Sequence, residues 1–282
     1  MSELIGKKIS FIGGGNMAQA LISGLLGRGV KPADITVADP SEAIRGSLID
    51  RQIQTVDPTA NTDTDNAHIA VTTADVVVLA VKPQVMSKVV ADFAPVLDKQ
   101  LVISVAAGLS TQSLSQMLGG YQNIVRAMPN TPAMIQKGAT GLYANTSISD
   151  SDKQLAAKLM SAAGLISWVT NEDQLHAVTA VSGSAPAYFF YMLEAMIDAG
   201  VRMGLDEKQA AALTMQTALG AAQMAIASDE TPAELRRKVT SPNGTTQAAI
   251  ESLQQHDFHQ IIAQAMQACY ERSEQISQEL AQ

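Results

Sequence analysis

The first half of the chain alternates short apolar runs with segments that have helical spacing of apolar positions. The run at 75–81 contains Val-Val-Val-Leu-Ala-Val without polar alternation, so we expect a strand covered on both faces, as in a parallel sheet. The predicted strands are 9–12, 35–38, 75–81, 101–105 and 124–127, with weaker runs at 140–144 and 166–169. Helical stretches such as 17–28 and 43–51 lie between the runs. This order predicts an open, doubly wound α/β sheet.

The pattern changes after about residue 170. The β-branched runs end, and Ala, Met, Leu and Gln dominate stretches such as 208–227 and 247–281, which predicts an all-helical second half. Two stretches, 185–199 and 210–227, are apolar nearly all round and must be covered on every side. We therefore expect a second subunit to cover them, the alternative being a monomer with one central buried helix. The predicted domains are 1–168 and 169–282.

A glycine-rich turn follows the first predicted strand and opens the first helix. Its Gly13-x-Gly15-x-x-Ala18 pattern is the dinucleotide-binding fingerprint in the expected context. Gly13 permits the tight turn, Gly15 lets the backbone approach the pyrophosphate, and Ala18 lets the helix pack on the sheet. Asn16 and Met17 lie at the helix start, where free N–H groups face the phosphates. The alternative is a glycine turn that only closes a strand–helix corner.

The end of the second strand carries residues expected to face the adenosine ribose. Asp39 occupies the position of the acidic residue that binds the 2′-hydroxyl and favours NAD. Ser41 is a possible donor to a 2′-phosphate, and Arg45, one turn later, a source of positive charge. Asp39 is alternatively a helix cap. The residues therefore leave the choice between NADPH and NADH open.

The carboxyl ends of the other strands complete the predicted cofactor crevice, since ligands of open α/β sheets bind there. Pro83 disfavours helix at the preceding lysine, which leaves a cation beside the cofactor path. Small residues end the next strand and suit a flat nicotinamide ring, and two prolines make the loop after 124–127 rigid. The residues concerned are Ala80, Val81, Lys82, Pro83, Ala106, Ala107, Met128 and Asn130.

Composition narrows the classes of function. The 46% hydrophobic content is globular, and the net charge of −8 argues against nucleic acid or an anionic membrane as the main partner. The single cysteine, Cys269, rules out an internal disulfide, and no metal-ligand cluster accompanies the four histidines, so no metal is expected. The chain enters a strand at residue 7 and has no apolar stretch of about 20 residues, which predicts a cytoplasmic protein.

Two polar, glycine-containing segments interrupt the apolar second half, at 182–188 and 240–246. We expect Ser184 to be the N-cap of the following helix, with Pro186 in its first turn. Both segments place hydroxyls and backbone N–H groups at helix N-termini, an arrangement suited to a carboxylate. Helix capping alone is the alternative explanation.

These motifs resemble, in order and spacing, those of the pyrroline-5-carboxylate reductases, over residues 7–275. The resemblance rests on 11–18 (FIGGGNMA), 80–84 (AVKPQ), 105–108 (VAAG), 126–132 (RAMPNTP), 182–188 (SGSAPAY) and 241–246 (SPNGTT). It implies a Rossmann-like domain followed by a helical dimerisation domain, with an active site that includes the partner's helices. It also implies a homodimer, assembled further into a ring of ten chains, a decamer. Asn243 replaces the family's usual glycine but tolerates a left-handed backbone, and Ala185 replaces a usual Gly or Ser.

The resemblance implies hydride transfer from NADPH, or from NADH, to the cyclic imine (S)-1-pyrroline-5-carboxylate, giving L-proline. We expect Thr246 to hydrogen-bond the ring nitrogen. Ser241, Asn243, Gly244 and Thr245, with Met128 and Asn130 on the other side, are expected to bind the substrate. Two alternatives remain. A β-hydroxyacid dehydrogenase would need a lysine, and none occurs between Lys158 and Lys208. A non-catalytic dinucleotide-binding sensor would bind cofactor without turnover.

Overall fold

The computed structural model describes residues 4–60 and 67–281, which form two compact units. The first unit runs to Ser184 and also includes the residues from Cys269 onward, and the second is Ala185–Ala268. These units are defined by contacts within the chain, whereas the boundary predicted between 168 and 169 is one between folding domains. That boundary stays a prediction.

The first unit is built on an eight-stranded sheet in the order β3-β2-β1-β4-β5-β6-β7-β8. All neighbours are parallel except β7, which runs antiparallel to β6. The strands are β1 (Ile9–Ile12), β2 (Ile35–Ala38), β3 (Gln54–Val56), β4 (Val76–Leu79), β5 (Leu101–Ser104), β6 (Ile124–Met128), β7 (Gly138–Ala144) and β8 (Gly164–Trp168). The predicted doubly wound sheet is confirmed, and the weaker runs do extend it at its edge.

Helices cover both faces of this sheet, and each face has its own apolar core cluster. The helices of the first unit are α1 (Asn16–Gly27), α2 (Glu42–Ile49), α3 (Ala67–Thr72), α4 (Pro83–Ala91), α5 (Thr111–Met117), α6 (Asp150–Ser161) and α7 (Gln174–Val178). All four residues of β4 are buried, as expected of a strand covered on both faces. The short β3 was not among the predicted runs, because an edge strand of three residues, Gln-Thr-Val, carries no apolar run.

The second unit is helical, as predicted. Its helices are α8 (Ala185–Arg202), α9 (Glu207–Ala227), α10 (Pro232–Lys238), α11 (Thr245–Gln255) and the first half of α12 (Phe258–Leu280). The stretch 247–281 is two helices, since His256 ends α11 and Asp257 takes a left-handed φ of 52°. α8 and α9 pack closely, and a Cβ on Gly200 would lie 3.2 Å from the Ala210 Cβ.

The large apolar side chains of α8 and α9 remain uncovered by their own unit. Within Ala185–Ala268 only Ala185, Ala210 and Thr214 are buried. Phe190 is 64% exposed and Leu213 60% exposed, on helices with few polar positions. This confirms that the unit does not itself supply the cover that these helices need. The alternative of one central buried helix is therefore wrong.

The segment 182–188 differs from the prediction. Residues Thr179–Gly183 form a π-helical turn that joins α7 to α8, and the Ser184 N–H donates to the Thr179 carbonyl at 2.8 Å. Ser184 has right-handed helical backbone angles, so its assignment as an N-cap is wrong. The chain is not extended at Ser184 as a capping residue would be, because the wide π turn continues the helical path from α7 into α8.

Candidate active site

The glycine turn between β1 and α1 has the geometry that only glycine allows. Gly13 has a φ of +98°, and a Cβ there would lie 2.9 Å from the Ala80 carbonyl oxygen and from Val81 Cγ1. The Gly13 N–H donates to the Ala38 carbonyl, and the Ala80 N–H donates to the Ile12 carbonyl, both at 2.8 Å. The ends of β1, β2 and β4 are thereby tied together at the point where the turn begins.

Gly15 is the N-cap of α1, and its backbone angles do not require glycine. Its φ is −66°, and a Cβ there would meet nothing within 4 Å. The protein therefore has room for a side chain at Gly15, and that room lies in front of the helix N-terminus that Asn16 and Met17 begin. Ala18 is fully buried against the sheet. This open cradle with N–H donors fits a dinucleotide pyrophosphate.

Asp39 lies at the end of β2, as predicted, and its carboxylate faces the protein. Oδ2 accepts a hydrogen bond from the Gly14 N–H, and Oδ1 accepts one from the Ser41 N–H, both at 2.8 Å. Ser41 is the N-cap of α2, since its hydroxyl accepts from the Ile44 N–H at 3.4 Å. The alternative that Asp39 caps this helix is therefore wrong. The Arg45 guanidinium donates to the Asp39 carbonyl at 2.7 Å and pairs with Asp57 at 2.8 Å.

The loop after β4 keeps the predicted form. Ala80 and Val81 follow the last residue of the strand, Lys82 has extended backbone angles, and Pro83 is the first residue of α4. No side-chain bond caps this helix from Lys82. The backbone thus carries the lysine along the carboxyl edge of the sheet, beside the glycine turn.

The loop after β5, with Ala106 and Ala107, is held by the C-terminal helix. The Ser277 hydroxyl donates to the Gly108 carbonyl at 2.8 Å. Gly108 has a φ of +82°, and a Cβ there would lie 2.8 Å from Ile276 Cγ2 and 2.9 Å from Leu280 Cδ1. Sequence reasoning missed this contact, because the two segments are about 170 residues apart and nothing local signals their packing.

A partly buried ion pair lies at the start of α5, where the same loop ends, and was also missed. The Arg126 guanidinium on β6 pairs with Glu172 at 2.7 Å, and its side chain is only 9% exposed. Glu172 also accepts from the N–H and hydroxyl of Thr111, the first residue of α5, at 2.6 and 2.7 Å. These bonds join the end of β6, the start of α5 and the turn before α7. The charge at Arg126 signalled a polar role, but its partner is distant in sequence.

His176 on α7 lies near this ion pair. Its Nδ1 is 2.8 Å from the Ser273 hydroxyl of α12, and its ring meets that of Tyr270 edge-on at 5.9 Å. Burial lowers the pKa of His176, and the positive charge of Arg126 lowers it further. Both effects disfavour the protonated imidazole.

The loop after β6 places Met128 and Asn130 against the π turn. The Asn130 amide donates to the Ser182 carbonyl at 2.9 Å and accepts from the Ala139 N–H at 2.8 Å. A Cβ on Gly183 would lie 2.7 Å from Met128 Cε. Both side chains thus hold the 182–184 segment at the end of β6. A substrate contact by either residue stays a prediction.

The second polar segment, 241–246, lies in the helical unit and forms a tight turn before α11. Asn243 has the left-handed φ, 58°, that the sequence comparison with the usual glycine predicts. Its N–H donates to the Gln247 side chain at 2.7 Å, and the Gly244 N–H donates to the Ser241 carbonyl at 3.0 Å. Gly244 is the N-cap, so Thr245 and Thr246 form the first turn. Ser241, Asn243 and Thr245 are exposed, and Gly244 and Thr246 are partly exposed.

Among residues 4–60 and 67–281, no cluster of His, Cys, Asp and Glu has the arrangement of a metal site. None of the described helices is long and apolar enough to cross a membrane.

Comparison with known proteins identifies both halves of the chain. Residues 172–276 match the family model for pyrroline-5-carboxylate reductase dimerisation, and residues 8–108 match that for coenzyme F420-dependent NADP oxidoreductases. The pyrroline-5-carboxylate reductase of Pseudomonas aeruginosa is 48% identical over 98% of both chains. That of Pasteurella multocida is 47% identical over 96% of this chain and 98% of its own.

Solved structures agree. A pyrroline-5-carboxylate reductase from Coxiella burnetii superimposes with a TM-score of 0.89 at 39% identity, covering 96% of this chain and 98% of its own. The Plasmodium falciparum pyrroline carboxylate reductase, solved with NADP bound, gives a TM-score of 0.83 at 28% identity over the same shares.

Proposed function

The chain belongs to the pyrroline-5-carboxylate reductase family, and on that premise we propose which of its residues carry the family's reaction. The protein is an NADPH-dependent oxidoreductase that reduces (S)-1-pyrroline-5-carboxylate to L-proline, the last step of proline biosynthesis. Bound NADPH supplies the hydride that C5 of the cyclic imine accepts. Full-length similarity to these reductases sets aside a β-hydroxyacid dehydrogenase and a non-catalytic sensor.

The residues proposed to hold NADPH line the carboxyl edge of the sheet. The observation that carries this proposal is the open space at Gly15, in front of the N-terminus of α1. Gly13, Asn16, Met17 and Ala18 would form the pyrophosphate cradle with it. The residues proposed along the rest of the cofactor are Asp39, Ser41, Ala80, Val81, Lys82, Pro83, Ala106 and Ala107. NADH is a possible second cofactor, which parallel assays with both would measure.

The substrate is proposed to lie against the turn before α11. Its carboxylate would meet the first backbone N–H groups of α11 and the hydroxyls of Ser241 and Thr245 at a helix N-terminus, which favours an anion. Asn243 and Gly244 would border the carboxylate and shape the turn, because their own N–H groups bond within it. Thr246, in the first turn of α11, would hydrogen-bond the ring nitrogen. Met128 and Asn130 would border the substrate from the nucleotide domain. We propose that this site is completed by helices of the partner subunit.

Hydride transfer to the imine mainly requires side chains that orient the substrate. Neither 182–188 nor 240–246 contains a histidine or a carboxylate, so we propose no dedicated general acid. Hydride attack is easier on the protonated imine, and the protein then has to align the two rings and hold the nitrogen and the carboxylate.

Thr246→Ala tests the assignment of Thr246. Loss of one hydrogen bond to the reacting ring predicts a fall of about tenfold in kcat/KM for pyrroline-5-carboxylate. Thr246→Ser keeps the hydroxyl and should restore most of the activity. Thr72→Ala is the matched control, because its hydroxyl donates to the His68 carbonyl at 2.7 Å on α3. Unchanged kcat and KM in Thr246→Ala would remove Thr246 from the mechanism.

The chain forms homo-oligomers through the helical domain, which carries the family's dimerisation region. We propose that five dimers form a decamer, supported by the resemblance alone. Light scattering of the eluting protein should then give about 300 kDa for ten chains of 29.7 kDa. A mass near twice that of one chain would leave the dimer as the final assembly.

We also propose a cytoplasmic location and a domain boundary near residue 168. Cell fractionation should recover the activity with cytoplasmic marker enzymes, and recovery with the membrane or periplasm would contradict the location. Limited proteolysis should cut first in 169–173, the residues between β8 and α7. First cuts elsewhere, with this stretch resistant, would contradict the boundary.

A further inference from the structure

Asp39 occupies a position that ordinarily selects against the cofactor of this enzyme. An acidic residue at the end of the second strand usually binds the ribose 2′-hydroxyl of NAD, and its charge repels the 2′-phosphate of NADP. The protein nevertheless uses NADPH. The orientation of the Asp39 carboxylate offers a reason.

Both oxygens of this carboxylate are committed to the chain itself. One accepts from the Gly14 N–H and the other from the Ser41 N–H, each at 2.8 Å, and the residue is only 7% exposed. Hydrogen bonds from N–H groups to a carboxylate are stronger than neutral ones. The negative charge is therefore partly neutralised by backbone dipoles and turned away from solvent.

The bond to Gly14 holds the middle of the glycine turn. A Cβ on Gly14 would lie 2.6 Å from Ile44 Cγ2 and 3.2 Å from Val37 Cγ1, so the turn packs tightly against β2 and α2. On the other side, the Gln19 amide donates to the Gly14 carbonyl at 2.9 Å. Asp39 and Gln19 thus fix the peptide groups on both sides of Gly14, immediately before the N-terminus of α1.

An arginine contacts the backbone of the same residue. The Arg45 guanidinium donates to the Asp39 backbone carbonyl at 2.7 Å while it pairs with Asp57. The end of β2 thus carries a guanidinium as well as a shielded carboxylate.

We propose that Asp39 is a positioning residue for the glycine turn and does not choose between NADPH and NADH. This proposal rests on the proposed function, in which the carboxyl edge of the sheet binds the cofactor. It predicts that loss of the Asp39 charge weakens the binding of both dinucleotides by the same factor, because both share the pyrophosphate. A ribose-binding role predicts instead that NAD binding falls while NADP binding holds or improves.

The test compares Asp39→Asn with the wild type and with Asp34→Asn by calorimetric titration of NADP⁺ and NAD⁺. Asn has one acceptor oxygen, and its amide group would face the second backbone N–H, so one bond is lost. We expect both dissociation constants to rise about tenfold, with their ratio unchanged. Asp34 bonds Lys8 at 2.8 Å at the opposite end of β2, so Asp34→Asn should leave both constants unchanged.

Steady-state kinetics separate positioning from general damage. In Asp39→Asn the KM for NADPH should rise, while the KM for pyrroline-5-carboxylate and kcat at saturating NADPH stay near wild type. The proposal would be overturned if Asp39→Asn changed the ratio of the NADP⁺ and NAD⁺ dissociation constants by tenfold. It would also be overturned if neither dissociation constant changed.

The wild type provides a second test that needs no variant. An NAD⁺ analogue with 2′-deoxyadenosine lacks the hydroxyl that a ribose-binding Asp39 would hold. We expect it to bind within about threefold of NAD⁺, and binding tenfold weaker would overturn the proposal. Wild-type protein that fails to reduce pyrroline-5-carboxylate with NADPH would contradict the proposed function instead, whichever result the titrations give.

Discussion

Polar side chains near the cofactor edge bond mainly to backbone groups of this chain. Asn130 spans the Ser182 carbonyl and the Ala139 N–H, and Glu172 holds the start of α5 together with Arg126. Buried amides and carboxylates are costly unless they are hydrogen-bonded, and these bonds satisfy them. The polar groups at this edge therefore fix the shape of the loops that we propose to line the cofactor.

At the scale of single residues, we expect His176 to make the stability of the protein depend on pH. Its pKa is lowered in the folded protein, mainly by burial and then by Arg126, although Glu274, Asp173 and Glu172 act in the opposite direction. The unfolded chain therefore takes up this proton more readily. The stabilising contribution of neutral His176 is present above the unfolded pKa near 6.5 and is lost as pH falls through the folded pKa.

Thermal unfolding between pH 8 and 5 measures this effect. Substitution His176→Gln should flatten the decline of Tm below pH 6.5, because the titrating group is gone. His68→Gln is the control, since His68 lies on α3, away from α7 and α12. An identical decline in wild type and His176→Gln would show that His176 does not contribute.

At the scale of elements, the C-terminal helix supports the loop that carries Ala106 and Ala107. α12 begins in the helical unit and ends in the nucleotide unit, where its last turns bond and pack against Gly108. The end of the loop is held by the bonds that Thr111, the first residue of α5, donates to Glu172. Two contacts that the strand pattern does not reveal thus fix a loop that we propose to line the cofactor.

Gly108→Ala tests this support. The left-handed φ alone costs roughly 1–2 kcal/mol for a residue with a Cβ, and the new methyl would also displace Ile276 and Leu280. Gly29→Ala is a matched control, because Gly29 has a similar φ of +88° and nothing within 4 Å of its Cβ position. We expect both variants to lower the free energy of unfolding, but only Gly108→Ala to raise the KM for NADPH. Equal kinetic effects in both would contradict a role for α12.

At the scale of the whole molecule, the helical unit depends on association. Its large apolar side chains on α8 and α9 are exposed within one chain, and a patch of this kind marks an interface. The stability of the helical unit should therefore rise with protein concentration, as expected when folding and association are linked.

Phe190→Lys tests this dependence. A charge in the covered interface would lose its hydration, so we expect a smaller assembly by light scattering, a lower Tm and weaker dependence of Tm on concentration. Ile49→Lys is the control, since Ile49 is 58% exposed but lies on α2 of the nucleotide unit. An assembly of Phe190→Lys equal in mass and Tm to that of Ile49→Lys would place the interface elsewhere.

Local patterns were sufficient for much of this protein. Continuous apolar runs between helices predicted the parallel sheet, because a strand covered on both faces has no polar positions. The need for glycine at Gly13 and the left-handed Asn243 also follow from local backbone sterics. The local sequence led to a wrong prediction at 182–188, where Ser184 was expected to be an N-cap but lies within a continuous helical path.

The sequence by itself therefore determined the elements and their order, since each depends on neighbouring residues. Only the tertiary structure decided the partners of the long-range contacts. Glu172 meets Arg126 across 46 residues, and Ser277 meets Gly108 across 169. The orientation of the Asp39 carboxylate likewise depends on the glycine turn 25 residues away. Such pairs are brought together by folding of the whole sheet, and no local propensity encodes them.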